Sequence, residues 1–357
     1  MADFFKDIIK KNKKKFIFVA EISANHGGNI ENAKKLIQLS KQNGSDFVKF
    51  QTYENNSMTI NSNNQNFLIK KGIWKNSNLW SLYGKAQTPY SWQKKLFNFA
   101  LNEKIQAFSS PFDEEGVDIL NKLNCKIFKI ASLETNDYPL IDKIVKTKKP
   151  IIFSTGTSDL KEISKTYRYI KSKGVKDVAI LYCVSNYPSE YKDFNFNNIT
   201  LLKKKFNCVV GFSDHSNDPD IAKCAISAGA EIIEKHVMIS KKIKSPDQKF
   251  SLEAKKISIF ISELEKVKRM FENKKKYFIS KKEIKNRKFR RSVYVIKPIE
   301  KGELINENNI KCLRPKVGIS PEKFNSLLNL KCPATLNYGK PITIHLYKKI
   351  IEYNNKK

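Results

Sequence analysis

Between residues 16 and 238 the chain carries eight short apolar runs separated by amphipathic stretches of helix length. The runs cover 16–22, 46–51, 106–110, 127–131, 150–155, 178–183, 208–213 and 231–236. Most are continuously apolar, as expected of parallel strands covered on both faces. Eight strands alternating with helices is the count that a closed barrel requires, so the sequence predicts an α/β fold, a (β/α)8 TIM barrel. Segments such as ENAKKLIQLSKQ, SWQKKLFNFALNEK, EEGVDILNKL and DPDIAKCAISAG read as its covering helices. Asp113 and Asn217 read as N-caps, and Gly44, Gly174 and Gly229 as C-terminal stops. A long excursion over 52–88 follows the second run. It is rich in Asn and Ser but holds Trp74, Trp80 and Tyr83, which is the composition of a lid or binding loop.

Most of these runs end in side chains that a purely structural strand has no use for: Glu21, Lys49, Gln51, Lys129, Ser132, Ser154, His215 and His236. A parallel barrel gathers its strand ends on the face where barrel enzymes keep their chemistry. Only four histidines are present, and two of them, His215 and His236, end successive runs. Neutral imidazoles suit divalent transition metals, and two protein ligands leave positions open for water and substrate. The alternative is a pair of ordinary hydrogen-bonded histidines; His26 and His345 are assigned no metal role. Lys49 and Lys129 lie within apolar strands, where a charged lysine needs an anionic partner. A bound phosphate or carboxylate would serve, with Ser110, Ser132, Ser154 and Ser213 as hydroxyl donors. A Schiff-base lysine, or ion pairing with Glu21 or Glu234, are the competing uses. Glu21 reads as a general base, a ligand for a substrate hydroxyl, or the partner of a lysine.

A further helix is expected at 251–273, followed by a charged linker, ENKKKYFISKKEIKNRK. From Phe289 onward, SVYVIKPIEKGELINENNIKCLRP and GKPITIHLY read as short strands between Gly and Pro turns. The expected organisation is a barrel domain over 1–280 and a small β-rich domain over 281–357. The net charge of +32 raises the question of a nucleic-acid partner. The lysines, however, are spread among asparagines over many helix faces, and no RNA-binding aromatic motif or DNA-reading helix is evident. No specific nucleic-acid partner is therefore expected, although anionic small molecules would be attracted. The six cysteines show no CxxC pairing. With no export signal and no apolar stretch of membrane-spanning length, a cytoplasmic protein with no membrane partner is expected. The absence of a Walker-type or GxGxxG loop argues against nucleotide and nicotinamide chemistry.

Taken in order, AEISANHGGN, VKFQTY, FSSPFD, FKIAS, STG, YPSE, GFSDH, EKH and PDQKFSLE closely resemble the motifs of the sialic acid synthase family. These nonulosonic acid synthases join phosphoenolpyruvate (PEP) to an amino sugar. The C-terminal region resembles their antifreeze-like (SAF) domain. GIWKNSNLWSLYGKAQTPYSWQ, LETNDYPLI and Ser185 in CVSNYP are most similar to the pseudaminic acid branch, while ANHGGN departs slightly from the commoner ANHNG. The resemblance implies condensation of PEP, water and a 2,4-diacetamido-2,4,6-trideoxy hexose to pseudaminic acid and phosphate. The rival in the same class makes N-acetylneuraminate or legionaminic acid, and the rivals outside it are a polyanion-binding and an ice- or carbohydrate-binding protein. Also implied are His215 and His236 as ligands of a divalent metal, usually manganese, with magnesium or cobalt as alternatives. Lys49, Ser110, Lys129, Ser132, Ser154, Ser185 and Ser213 would hold PEP. Glu21 would sit beside the reacting carbons, forming the catalytic set with Lys49, Lys129 and His236. Gln51, Glu134, Tyr187, Asp247, Phe289 and Arg314 would surround the sugar. Phe289 and Arg314 would reach it from the partner subunit of a domain-swapped homodimer.

Overall fold

The computed structural model describes residues 3–271 and 277–356. Its contacts separate two compact units, Met1–Glu272 and Asn273–Lys357. The first part of the expected charged linker, 272–276, lies outside the described residues.

In the first unit the strands are β1 (Ile17–Glu21), β2 (Phe47–Thr52), β3 (Gln106–Pro111), β4 (Phe128–Ile130), β5 (Ile151–Ser154), β6 (Val178–Cys183), β7 (Val209–Asp214) and β8 (Ile232–Met238). Each pairs in parallel with the next, and β8 pairs back onto β1 with Glu21 opposite His236, which closes the barrel. A two-residue strand, β9 (Leu252–Glu253), extends β8. Every residue of β1, β5, β6, β7 and β8 is buried, which explains runs that are apolar on both faces.

The covering helices bury one stripe each. In Tyr138–Lys146 it is Leu140, Ile141, Ile144 and Val145, the helical spacing. Asp113 caps its helix, accepting from the Gly116 amide at 2.6 Å. The helix Pro219–Ser227 is capped by Asp218 and not by the expected Asn217. Proline takes the first helical position, so the residue immediately before it becomes the cap. The expected helix at 251–273 is shorter, Ile257–Met270, because β9 and a turn occupy its first residues.

The N-terminal helix Phe4–Lys11 buries Phe5 and Ile9, and its Phe4 amide donates to Asp177, the residue preceding β6, at 3.0 Å. It therefore lies against the N-terminal ends of the strands. At the opposite end the excursion is tied down at both of its ends: Thr52 bridges to Thr88, and the Asn55 amide donates to Gln87 at 2.9 Å.

The second unit holds one antiparallel pair, β10 (Ser292–Val295) with β11 (Ile310–Leu313), and single-residue bridges at Tyr294–Pro341, Ile299–Leu336 and Leu304–Lys331. Val293, Val295, Ile299, Ile310, Leu336 and Ile342 are among its core residues. The reading of GKPITIHLY as a strand is corrected. Thr343 accepts from the Leu346 amide at 3.2 Å and starts a helix, Ile344–Asn355, that buries Ile350. The apolar PITI signal gave way to a capping threonine followed by a long helix-compatible run.

Candidate active site at the strand ends

Side chains on a strand alternate between faces, so Glu234 and His236 of β8 share one side while Lys235 takes the other. Lys235 there pairs with Asp214 at 2.9 Å. The same parity applies to Lys49 and Gln51 of β2. A cavity of about 310 Å³ at these strand ends is lined by Lys49, Gln51, Lys129, Ser132, Glu134, Ser154, Tyr187, Ser213, His215, His236 and Asp247. Most of the expected site is thus brought together. Three expected residues do not line the cavity. Ser110 is buried behind it with an unpartnered hydroxyl, Ser185 lies behind the serine cluster, and Glu21 is fully buried beneath Lys49. Phe289 and Arg314 belong to the second unit, where both are exposed.

Four charged groups sit in the barrel mouth. Lys49 Nζ lies 2.7 Å from Glu21 Oε2 and 3.6 Å from Glu234 Oε1. Burial alone would lower the Lys49 pKa, but Glu21 and Glu234 outweigh it and hold the ammonium above its ordinary value. Burial pushes Glu21 up to about 7 against the pull of Lys49. For Glu234 burial is overcome by Lys49 and Lys129, which hold it below the usual carboxylate range. Glu234 therefore carries the charge that balances Lys49, and Glu21 is the carboxyl that takes a proton near neutrality. Lys129 differs. Its Nζ donates to Ser154 Oγ at 2.6 Å and to the Ile130 carbonyl at 3.0 Å, and it has no ion-pair partner among the described residues. Burial lowers its pKa. An anion bound beside it would supply the missing charge.

The serines converge on Gly156. Its amide donates to Ser132 Oγ at 3.2 Å, and a Cβ placed there would lie 2.8 Å from that oxygen and collide with Ser185 Oγ. Only glycine permits this approach of hydroxyls to backbone. Gly156 and the buried Cys183 were missed by the sequence reading, and Glu234 was read only as a possible lysine partner. Glu234 had a usable signal, since it lies two residues before His236 and so shares its face.

Across the cavity the two imidazoles have ring centroids 5.4 Å apart. His215 Nδ1 donates to the Val184 carbonyl at 2.9 Å, and burial, which lowers its pKa, is outweighed by Cys183 and by that carbonyl, which raise it. His236 Nδ1 is buried without a hydrogen-bond partner, 3.6 Å from Asp247 Oδ2. Burial, partly opposed by Asp247, holds His236 below the usual histidine pKa and hence neutral. An orphaned ring nitrogen beside a second imidazole fits a divalent transition-metal ion. Among the described residues no three His, Cys, Asp or Glu side chains converge. An ion here would therefore complete its shell with water and substrate oxygens.

Glu134, on the same wall, is pushed by burial up to about 7 against Lys129. Opposite this polar floor the excursion supplies Met58, Ile69, Trp74, Leu79 and Leu82. Trp74 Nε1 donates to the Pro246 carbonyl at 3.1 Å, and its ring lies 5.5 Å from Tyr187, so the excursion is closed over the mouth.

Comparison with known proteins places these features in context. The NeuB family model matches residues 36–276 and the SAF domain model residues 290–346. The chain is 40% identical to a pseudaminic acid synthase of Campylobacter jejuni over 326 residues, 91% of this chain and 95% of that protein. It is 37% identical to the pseudaminic acid synthase of Helicobacter pylori, over 91% of this chain and 96% of that one. An N,N'-diacetyllegionaminic acid synthase of C. jejuni is 35% identical over 91% of this chain and 97% of that protein. Among solved structures, the N-acetylneuraminic acid synthetase of Leptospira borgpetersenii, in complex with citrate, superposes with a TM-score of 0.68 at 27% identity. That match covers 76% of this chain and 91% of the other.

Proposed function

The chain belongs to the NeuB family and carries a SAF domain, and from this premise we propose that it is a PEP-dependent condensing enzyme that makes pseudaminic acid. Its substrates are PEP, water and a 2,4-diacetamido-2,4,6-trideoxy hexose, and the second product is phosphate. One observation carries the reading. Lys129, buried without a carboxylate partner and bonded to Ser154, faces two imidazoles across a single cavity. An anion cradle and an electrophile site thus share one chamber.

PEP places its charged groups against Lys49, Lys129, Ser132, Ser154 and Ser213, with Ser110 and Ser185 supporting from behind. His215 and His236 would hold a divalent metal, and Mn²⁺ is the ion that the family resemblance implies. When bound, the ion supplies Lewis-acid polarisation of the sugar carbonyl. Gln51, Tyr187 and Asp247 orient the open-chain sugar so that its aldehyde carbon meets C3 of PEP. The new C–C bond leaves positive charge at C2, which water captures. Glu134, poised near neutrality, takes the proton that this water gives up. The tetrahedral intermediate then loses phosphate by C–O cleavage, and Lys49 and Lys129 offset the charge on the leaving group. Glu21 acts through Lys49, holding the ammonium in place, while Glu234 supplies the charge that balances it.

The barrel chemistry is assigned to residues 1–280 and the SAF domain to 281–357. Phe289 and Arg314 would complete the sugar site of a partner subunit in a domain-swapped homodimer, a role consistent with the exposure of both. An arginine fork suits an acetamido oxygen. No described helix is long and apolar enough to cross a membrane, and the proposed setting is the cytoplasm. The charge of +32 serves to attract anionic substrates.

The test is phosphate release from PEP with each candidate hexose, with mass identification of the product. Release with N-acetylmannosamine alone would move the enzyme to the N-acetylneuraminate branch. Mixing Arg314→Ala with His236→Ala checks the swap, because exchanged subunits of a swapped dimer regain one intact site. No regain after proven exchange would assign each SAF domain to its own barrel.

A further inference from the structure

The cavity has two unlike halves. Its floor is charged and hydroxylic, whereas the excursion contributes Met58, Ile69, Leu79 and Leu82, with Tyr53, Trp74, Tyr83 and Ala86 beside them. None of the first four offers a hydrogen bond. The nearby indole N–H of Trp74 is already committed to the Pro246 carbonyl at 3.1 Å. The two phenols of this segment, Tyr53 and Tyr83, lie within electrostatic reach of Asp247 and Glu134, at the border with the polar floor. All four apolar side chains are only half-buried, although the excursion is held at both ends. They therefore keep apolar surface open toward the chamber, and a ligand group placed against them would cover it.

A fully hydroxylated hexose is a poor match to such a surface, because each hydroxyl turned toward it would lose water and gain no partner. We infer that Met58, Ile69, Leu79 and Leu82 are specificity-determining residues that select a sugar whose distal carbon is a methyl group over one that carries a hydroxymethyl there. The inference rests on the condensing reading of the site and deepens it. The floor recognises the reacting end, which every substrate of this chemistry shares, and the roof reads the far end. A site built from apolar contacts rejects one added hydroxyl by at most about 10²-fold. The discrimination is thus a ratio of roughly 10–100, not an absolute barrier.

The experiment compares kcat/KM for phosphate release with two 2,4-diacetamido hexoses that differ only at C6, one methyl and one hydroxymethyl. The expected preference for the methyl sugar is roughly 10–100-fold. In Leu82→Gln and Ile69→Asn a polar side chain meets the added hydroxyl, so the ratio should fall to within about threefold of unity. Leu82→Met, which keeps the surface apolar, should retain the original ratio. An enzyme that turns over both sugars equally well, or a ratio unmoved in both polar variants, overturns the role of the roof and leaves the condensing reading standing. No phosphate release with either sugar overturns the condensing reading itself, and the inference with it.

Discussion

The floor and the roof of one cavity teach different lessons about how this chain builds a site. The floor is made on β1, β2, β4, β5, β7 and β8, whose inward positions hold Glu21, Lys49, Lys129, Ser154, Ser213 and Glu234. Each of these groups is buried: Lys49 sits between Glu21 and Glu234, Ser213 donates to Glu234, and Ser154 accepts from Lys129. The roof is made from an inserted segment with few regular elements, anchored at Thr52, Thr88 and Trp74. Rigid strands can hold buried charges in register, which suits transition-state work that tolerates little displacement. A tethered loop presents side chains that can change without disturbing the barrel, which suits substrate choice.

The largest effect should come from the floor's imidazoles. His236→Ala, and exhaustive chelation of the native enzyme, should each reduce turnover below detection. Added Mn²⁺ should restore the chelated enzyme only. Bound metal, measured by elemental analysis, should fall in parallel with activity in the variant. Full activity with metal proven absent would erase the distinction drawn here between an electrophile side and an anion side.

Next comes Lys129→Met, which removes the cation proposed to offset the charge on the departing phosphate. It should lower kcat/KM roughly 10²–10³-fold, in line with the loss of one preorganised donor. The fold should not suffer, since an unpaired buried ammonium is replaced by an apolar group of similar shape. Thermal unfolding checks this. Borohydride treatment with substrate should leave no lysine adduct, and a stable adduct would place the floor in the aldolase class.

A smaller effect, about 10²-fold, is expected for Glu134→Gln. Burial sets Glu134 at about 7, and it must be ionised to accept a proton. Activity of the native enzyme should therefore climb as pH rises through about 7, and the variant should lose that limb. A pH profile unchanged in shape would return the proton to another group.

The smallest effect concerns the anchorage of the roof. His26 is fully buried, with Nδ1 accepting from the Gly28 amide at 3.0 Å and Nε2 3.3 Å from Thr88 Oγ1. Burial, only partly opposed by Asp247, lowers its pKa to about 4. The unfolded chain binds this proton near the ordinary value of about 6.5. Stability from His26 is thus fully present above about 6.5 and is lost as pH falls toward 4. The loss is at most about 3.5 kcal/mol, the shift converted at about 1.4 kcal/mol per unit. Denaturant unfolding at pH 7 and pH 4.5 should show the loss in the native protein and not in His26→Asn. Equal slopes in both would remove His26 from the account.

Much of the floor was readable along the chain, because the signals for it are local. A continuously apolar run marks a strand buried on both faces, and a lysine or histidine at its end marks the mouth of the barrel. The motifs around Lys49, Lys129, His215 and His236 carried the rest. Glu234 was read only as a possible lysine partner, because a glutamate in EIIEKH shows its parity but not its distance from Lys49. The roof was legible as a lid or binding loop over 52–88, but which of its side chains line the chamber was not. Met58, Ile69, Leu79 and Leu82 follow neither a period of two nor one of 3.6 and are diluted among asparagines and serines. In the second unit, PITI was mistaken for a strand because short apolar runs are ambiguous until their flanks are weighed.

By itself the sequence determined the eight-stranded barrel, the small domain that follows it in the chain, and the identity of the groups at the strand ends. All of these follow from patterns within a few residues: burial on both faces, side-chain parity, caps and turns. Only the tertiary structure decided how those groups share charge and space. The pairing of β8 with β1 set Glu21 opposite His236, and Lys49 fell between two carboxylates. Burial raises the pKa of both carboxyls, but Lys49 and Lys129 keep Glu234 ionised while the pKa of Glu21 stays near neutrality. The closure of a distant loop through Trp74 onto Pro246 gave the chamber its apolar half. Electrostatics and hydrophobic contact depend on distances between residues far apart in the chain, and only the folded chain sets those distances.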